Sequence, residues 1–249
     1  MGGDAPRIEA VLFDVGGTLV DGRDYLGWCS LAREVALDVE PDELRHSFSE
    51  VEREVDRSPI GSGPDPGRLP EFWRRVLSRA TGRELDRSVA ERFVASAPHA
   101  PERPAALYSD VRRCLDALAA SRRRLGVISN SRSEASVRGL LERAGIVGYF
   151  EQVLSSGTEG VEKPDPEIFR RAVGRLGIAP ERALYVGNLE HTDALGARAA
   201  GLHGLWLNRD GTGLDDGTPE ITSLLEVPLV VHQLELSGAA GRPAGLSHA

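Results

Sequence analysis

Apolar positions gather in five short runs, Val11–Phe13, Leu125–Ile128, Phe150–Leu154, Ala183–Val186 and Gly204–Leu207, all nearly unbroken except the third, which carries Glu151 and Gln152. Runs of this length that stay apolar instead of alternating read as strands buried on both faces. Between and around them apolar residues recur at helical spacing, which predicts helices over Ser109–Ala120, Ser133–Ala144, Pro166–Leu176 and Thr192–Ala200. Gly145, Gly177 and Gly201 stand where left-handed caps should close three of these helices. Strands alternating with helices need crossover connections, so the pattern predicts an α/β fold on a parallel sheet.

One stretch breaks the alternation. From position 21 to position 97 only helical patterns occur, at Tyr25–Leu37, Pro41–Asp56, Pro70–Ala80 and Asp86–Ser96. Pro41 suits a first helical position. Ser58–Gly67 is too rich in proline and glycine for anything but a loop. Pro98, Pro101 and Pro104 mark a return linker. The expected organisation is an α/β core from residues 1–20 and 98–237, a helical insert over 21–97, and an unstructured tail over 238–249. Residues 1–7 read as a disordered leader.

Composition narrows the partners. With 249 residues and 41% hydrophobic content, the chain can bury a substantial core. A net charge of −8 argues against nucleic acid or an anionic membrane as partner. No run approaches the roughly 20 apolar residues of a membrane span. The two cysteines, Cys29 and Cys114, suggest no disulfide framework, so the expected setting is a reducing cytoplasm. Among 30 Lys+Arg residues, Lys163 is the only lysine. A lysine offers a compact point charge where an arginine would bring a wide planar fork.

Candidate chemistry sits where the apolar runs end. Asp14 follows Val11-Leu12-Phe13 and precedes Val15-Gly16-Gly17-Thr18. In open parallel sheets this edge binds ligands, and glycines let main-chain N–H groups approach an anion. The second run ends in Ser129-Asn130, Lys163 stands just before a proline-opened helix, and Asn188 and Asp193 follow the Ala183–Val186 run. Carboxylate, hydroxyl, lysine, then amide plus carboxylate: in that order and spacing, from about Ile8 to about Asn208, the chain resembles the haloacid dehalogenase-like hydrolase superfamily. Most members are magnesium-dependent phosphatases.

The resemblance implies a Rossmann-like parallel sheet with helices on both faces and a small all-helical cap that favours small phosphorylated substrates. It implies catalysis by Asp14, the nucleophile forming an aspartyl-phosphate, assisted by Lys163. Mg²⁺ would be held by Asp14, the Gly16 carbonyl, Asn188 and Asp193, the last directly or through water. Phosphate would be held by Gly17, Thr18, Ser129, Asn130 and Lys163. A soluble monomer or homodimer is expected, with no nucleic acid or membrane partner.

Two positions depart from the phosphatase pattern. Gly16 stands where a second aspartate usually protonates the leaving group, and losing a positioned acid typically costs about 10²–10⁴-fold in rate. Asn188 replaces a metal-binding aspartate, so a more weakly held Mg²⁺ is expected. Asp21, Asp24, Glu190 and His191 lie near the motifs and could substitute as acids, or be turn and surface residues. Tyr25, Trp28 and Trp73 could line a substrate pocket or form cap core. An alternative reading is a catalytically impaired, phosphometabolite-binding or interaction protein on the same scaffold. A metal-free haloacid dehalogenase is a further alternative. Its last motif places asparagine three residues before the aspartate, whereas here Glu190 occupies that position and Asn188 precedes Asp193 by five. Phosphonoacetaldehyde-type hydrolysis needs a cap lysine, and this chain has none.

Overall fold

Ala10–Phe13 forms strand β1, buried along its whole length at the centre of a six-stranded parallel sheet. The computed structural model describes residues 7–21, 25–56, 68–96, 106–209, 211 and 217–240. In chain order the further elements of the α/β part are β2 (Val20–Asp21), β3 (Ala106–Leu107), α5 (Val111–Ala120) and β4 (Arg124–Ser129). Then come α6 (Glu134–Arg143), β5 (Gln152–Ser155), α7 (Ser156–Glu159), α8 (Pro166–Arg175) and β6 (Ala183–Gly187). The last are α9 (Gly196–Ala199), β7 (His203–Leu207), β8 (Glu220–Ile221) and α10 (Val227–Ala240). Helices α1 (Tyr25–Glu34), α2 (Pro41–Asp56), α3 (Arg68–Thr81) and α4 (Arg87–Ser96) form the insert.

The strand order is β5-β4-β1-β6-β7-β8, every pairing parallel, while β2 and β3 make a separate antiparallel pair. Alternation along β1 explains why its run is unbroken. Val11 and Phe13 pack toward Val111, Leu115, Val137 and Val231, from α5, α6 and α10. Ala10 and Leu12 pack toward Ile168, Phe169 and Ala197, from α8 and α9. Helices thus cover both faces, and a side chain such as Phe13, wholly buried, contributes roughly 1.5–3 kcal/mol.

By internal contacts the chain divides into two compact units, Met1–Asp21 with Ala105–Ala249, and Gly22–Pro104. The second unit has its own apolar centre of Leu44, Val51, Val76, Leu77 and Phe93. Trp73 lies within that centre and meets Trp28 edge-on with ring centroids 4.8 Å apart, so both tryptophans serve its packing. Of Tyr25 only the helical backbone is described.

Several boundaries differ from the sequence expectation. Helix α1 ends at Glu34 because Ala36 adopts a left-handed conformation (φ 62°) and the Leu37 amide turns back to Ala32. The Phe150–Leu154 run starts later, at Gln152, since Val147–Tyr149 forms a 3₁₀ turn. The C-terminal helix α10, unassigned by the pattern, carries residues 238–240 of the expected tail. Residues 241–249, the 1–6 part of the leader, and the 58–67 loop lie outside the described residues. No helix among the described residues is long and apolar enough to cross a membrane.

Candidate active site

Three adjacent strands deliver the polar groups. Asp14 follows the last residue of β1, Ser129 ends β4, and Asn188 follows Gly187 at the end of β6. All three lie at the carboxyl edge of the sheet, where ligands bind in this architecture. The Asp14 amide donates to the Val186 carbonyl, which extends the β1–β6 ladder up to the carboxylate-bearing residue.

The Lys163 ammonium sits between two carboxylates. Nζ donates to Asp14 Oδ1 at 2.8 Å, to Asp193 Oδ1 at 2.6 Å and to the Tyr185 hydroxyl at 2.9 Å. The three residues the sequence proposed for the centre, Asp14, Lys163 and Asp193, therefore meet at one point. Lys163 is 2% exposed, Asp14 7% and Asp193 0%. Burial opposes the ammonium's charge, but Asp14, Asp193 and Tyr185 outweigh it and hold the lysine well above its ordinary range. Burial also raises Asp193, with Lys163 pulling the other way and Asp14 adding to the rise, to about 6.

Helical geometry at Asp193 is unusual. Instead of a helix from Thr192, residues Glu190–Leu195 form a π-helical turn that leads into α9. The Ala194 amide reaches back five residues to Leu189, and Asp193 Oδ2 accepts the Leu189 amide at 3.0 Å. Such single-turn π segments are rare and occur frequently at functional sites. Here the turn brings Asp193 over Gly187, where an added Cβ would lie 2.2 Å from the Asp193 Cγ. Only glycine permits that approach.

Tyr185 is the residue that sequence reading missed. Its place in an apolar run marks only a strand position, yet its hydroxyl accepts from Lys163 and donates to the Ile128 carbonyl at 3.1 Å. A tyrosine in a strand buried on both faces needs a partner for its hydroxyl, and that requirement was the available signal.

The residues expected to hold phosphate also bond to one another and to the centre. A lysine ammonium has three N–H donors, and here Asp14, Asp193 and Tyr185 accept all three. The Gly17 amide donates to the Val20 carbonyl, closing a tight loop in which Gly17 has φ +83°. The Thr18 hydroxyl lies 3.1 Å from Asp14 Oδ2 and 3.3 Å from Asn188 Oδ1. The Asn130 side chain clasps the Lys163 main chain, donating to its carbonyl and accepting its amide, each at 2.9 Å. These side chains and the Gly17 amide hold the carboxylate and the lysine in place, because the buried charges need satisfied neighbours before any ligand arrives. Ser129 stands at the strand end as expected.

Oxygen atoms gather beside Asp14. Asp14 Oδ2 and Asn188 Oδ1 converge on the one Thr18 hydroxyl, and Gly16 is exposed beside them. All-oxygen donors of this kind suit Mg²⁺. Among the described residues no three His, Cys, Asp or Glu side chains cluster as a metal site, so a cation here would need an amide and a carbonyl as well. Asp193 has both oxygens on protein donors. Of the alternative acids, Asp21 lies in β2, Glu190 is buried, His191 is exposed, and Asp24 falls outside the described residues.

Lys163→Met tests the charge balance. Removing one partner of a buried pair costs about 3–5 kcal/mol, and this change leaves two carboxylates facing each other. The raised lysine keeps the wild-type contribution present at every pH below its own titration, hence throughout the neutral range. In the variant, protonation relieves the repulsion, so the stability deficit should shrink on acidification. Urea unfolding of both proteins across pH measures this.

Fold and site together define an α/β protein with an acid–lysine–acid centre at the rim of a parallel sheet. The chain belongs to the haloacid dehalogenase-like hydrolase family, whose model matches residues 8–201. It is 36% identical over 159 residues to a phosphoserine phosphatase of Thermus thermophilus, covering 62% of this chain and 59% of that protein. It is 32% identical to a glyceraldehyde 3-phosphate phosphatase of Methanothermobacter thermautotrophicus, covering 82% of this chain and 88% of the relative. Among solved structures, the HAD-hydrolase YfnB of Bacillus subtilis, bound to magnesium, matches with a TM-score of 0.66 at 20% identity. That match covers 90% of this chain and 99% of the other and concerns the fold.

Proposed function

We propose that this hydrolase is a Mg²⁺-dependent phosphatase of a small phosphorylated metabolite. The observation that carries the reading is Lys163 binding both Asp14 and Asp193 at the carboxyl edge of the sheet. The phosphatase names of its relatives support it. The Asp14 carboxylate attacks phosphorus; an O–P bond forms as the ester O–P bond breaks, and water later releases phosphate from the aspartyl group. Lys163 and Thr18 fix the two carboxylate oxygens, so attack needs no search for the right rotamer. Asp193 and Tyr185 keep the lysine seated. Ser129 and the main-chain N–H groups beside it receive phosphoryl oxygens. Asp14, Asn188 and the Gly16 carbonyl would hold Mg²⁺, with Asp193 behind them through water. The ion would offset the charge of phosphate meeting carboxylate and polarise the phosphoryl group.

Position 16 offers no proton, so the leaving group departs as an anion. 4-Nitrophenyl phosphate should therefore be cleaved with a kcat/KM about 10²-fold or more above that of an alkyl phosphate. Equal values would show that another residue supplies the acid. The function itself is tested by assaying a panel of small phosphate monoesters with Mg²⁺ and with chelator, alongside calorimetric titration with Mg²⁺. Turnover that vanishes with chelator supports the reading. Neither metal binding nor turnover would favour a non-catalytic phosphometabolite-binding protein, a reading that Gly16 and Asn188 motivate.

A further inference from the structure

Arg209, just beyond β7, makes contacts that the reaction as described does not use. Its guanidinium grips Asp110 with both ends of the fork, Nη1 to Oδ2 at 2.9 Å and Nη2 to Oδ1 at 3.1 Å. Nη2 also donates to the Thr18 main-chain carbonyl at 2.8 Å. The Arg209 Cζ lies 3.9 Å from the centroid of the Tyr108 ring. Asp110 stands at the start of α5 but does not cap it; it accepts instead from the Ser223 hydroxyl and the Leu224 amide, each at 2.9 Å. Burial opposes the Asp110 charge, but Arg209, the Leu224 amide and Ser223 outweigh it and hold the carboxyl below its usual range.

Thr18 thus has two attachments. Its carbonyl is held from behind by Arg209, and its hydroxyl faces Asp14 and Asn188 in front. We infer that Arg209 is a positioning residue for the loop that carries the nucleophile, acting with Asp110 through Thr18 on the Asp14 carboxylate and the Asn188 amide. The role of Asp14 in this inference rests on the phosphatase reading above. A planar fork is required, since one guanidinium serves two carboxylate oxygens and a carbonyl at once. A lysine can keep the charge opposite Asp110 but cannot span all three acceptors.

Arg209→Lys and Arg209→Ala separate positioning from bulk stability. Three measurements are made on each: kcat and KM for 4-nitrophenyl phosphate, thermal midpoint, and amide hydrogen exchange of Gly17, Leu19 and Val20. Those amides bond within the loop, to Val20, Val15 and Val15 respectively. In folded Arg209→Lys, kcat should fall about 10–100-fold with KM changed less than about threefold, as expected for a small misplacement of reacting groups. Exchange at the three amides should quicken about tenfold or more, while β5 amides stay as in wild type. Should Arg209→Ala fail to fold, Arg209→Lys alone decides. Wild-type kcat in folded Arg209→Lys overturns the inference, and so does a lower kcat without faster loop exchange. If the wild type turns over no phosphate ester, the phosphatase reading fails by itself. The exchange measurement then decides whether Arg209 holds the loop: unchanged exchange in Arg209→Lys overturns that too.

Discussion

Asp14→Asn is expected to lower phosphatase turnover by about 10⁶-fold, the scale on which removing a catalytic nucleophile acts. The substitution keeps shape and most hydrogen bonds. An amide oxygen can still accept from Lys163 at the position of Oδ1, and the amide NH₂ can donate to the Thr18 hydroxyl. Thr18 can then direct its own proton to Asn188. Little should therefore change in the fold except the loss of one buried negative charge, which Asp193 still partly balances for Lys163. What disappears is the oxygen nucleophile itself. Rapid quench with labelled substrate should trap a phosphorylated protein in wild type and none in the variant, with circular dichroism unchanged. Retained turnover in Asp14→Asn would remove this residue from the nucleophile role.

Gly16→Asp should act in the opposite direction, raising kcat on alkyl phosphates by about 10²–10⁴-fold, the usual worth of a positioned acid–base group. Steric conditions favour the change. A Cβ built on Gly16 meets no atom within 4 Å, and the residue has no left-handed conformation that would strain an aspartate. Its neighbour behaves differently: at Gly17 a Cβ would stand 2.7 Å from the Asn188 Nδ2. The gain should be much smaller on 4-nitrophenyl phosphate, whose leaving group needs no proton. Steady-state kinetics on a leaving-group series, wild type beside variant, gives both numbers. No gain on any alkyl ester would mean that proton transfer does not limit this site.

Much of the fold was legible because its signals are local. Five apolar runs marked the five long strands of the sheet, and prolines and glycines marked the turns between them. The short β2, β3 and β8, two residues each, carry too little pattern to be read. Convergence of Asp14, Lys163 and Asp193 was legible from motif order, because strand ends of a parallel sheet share one edge. The partners of each donor were not. That the Thr18 hydroxyl meets Asn188 and the Asn130 side chain meets the Lys163 main chain depends on contacts between residues 170 and 33 apart. Tyr185 was hidden for the same reason, since its hydroxyl partners Lys163 and Ile128 lie 22 and 57 residues away, whereas the π turn is local and leaves no residue pattern. One is an apolar-looking strand residue, the other a widening of one helical turn that a carboxylate bonds across.

A chain whose sole lysine lies sealed between two carboxylates and a phenol presents no lysine side chain to acylating reagents while that unit stays closed. The amine that keeps the centre in order therefore doubles as an internal gauge of its opening, for it becomes open to acylation only when Asp14 and Asp193 release it.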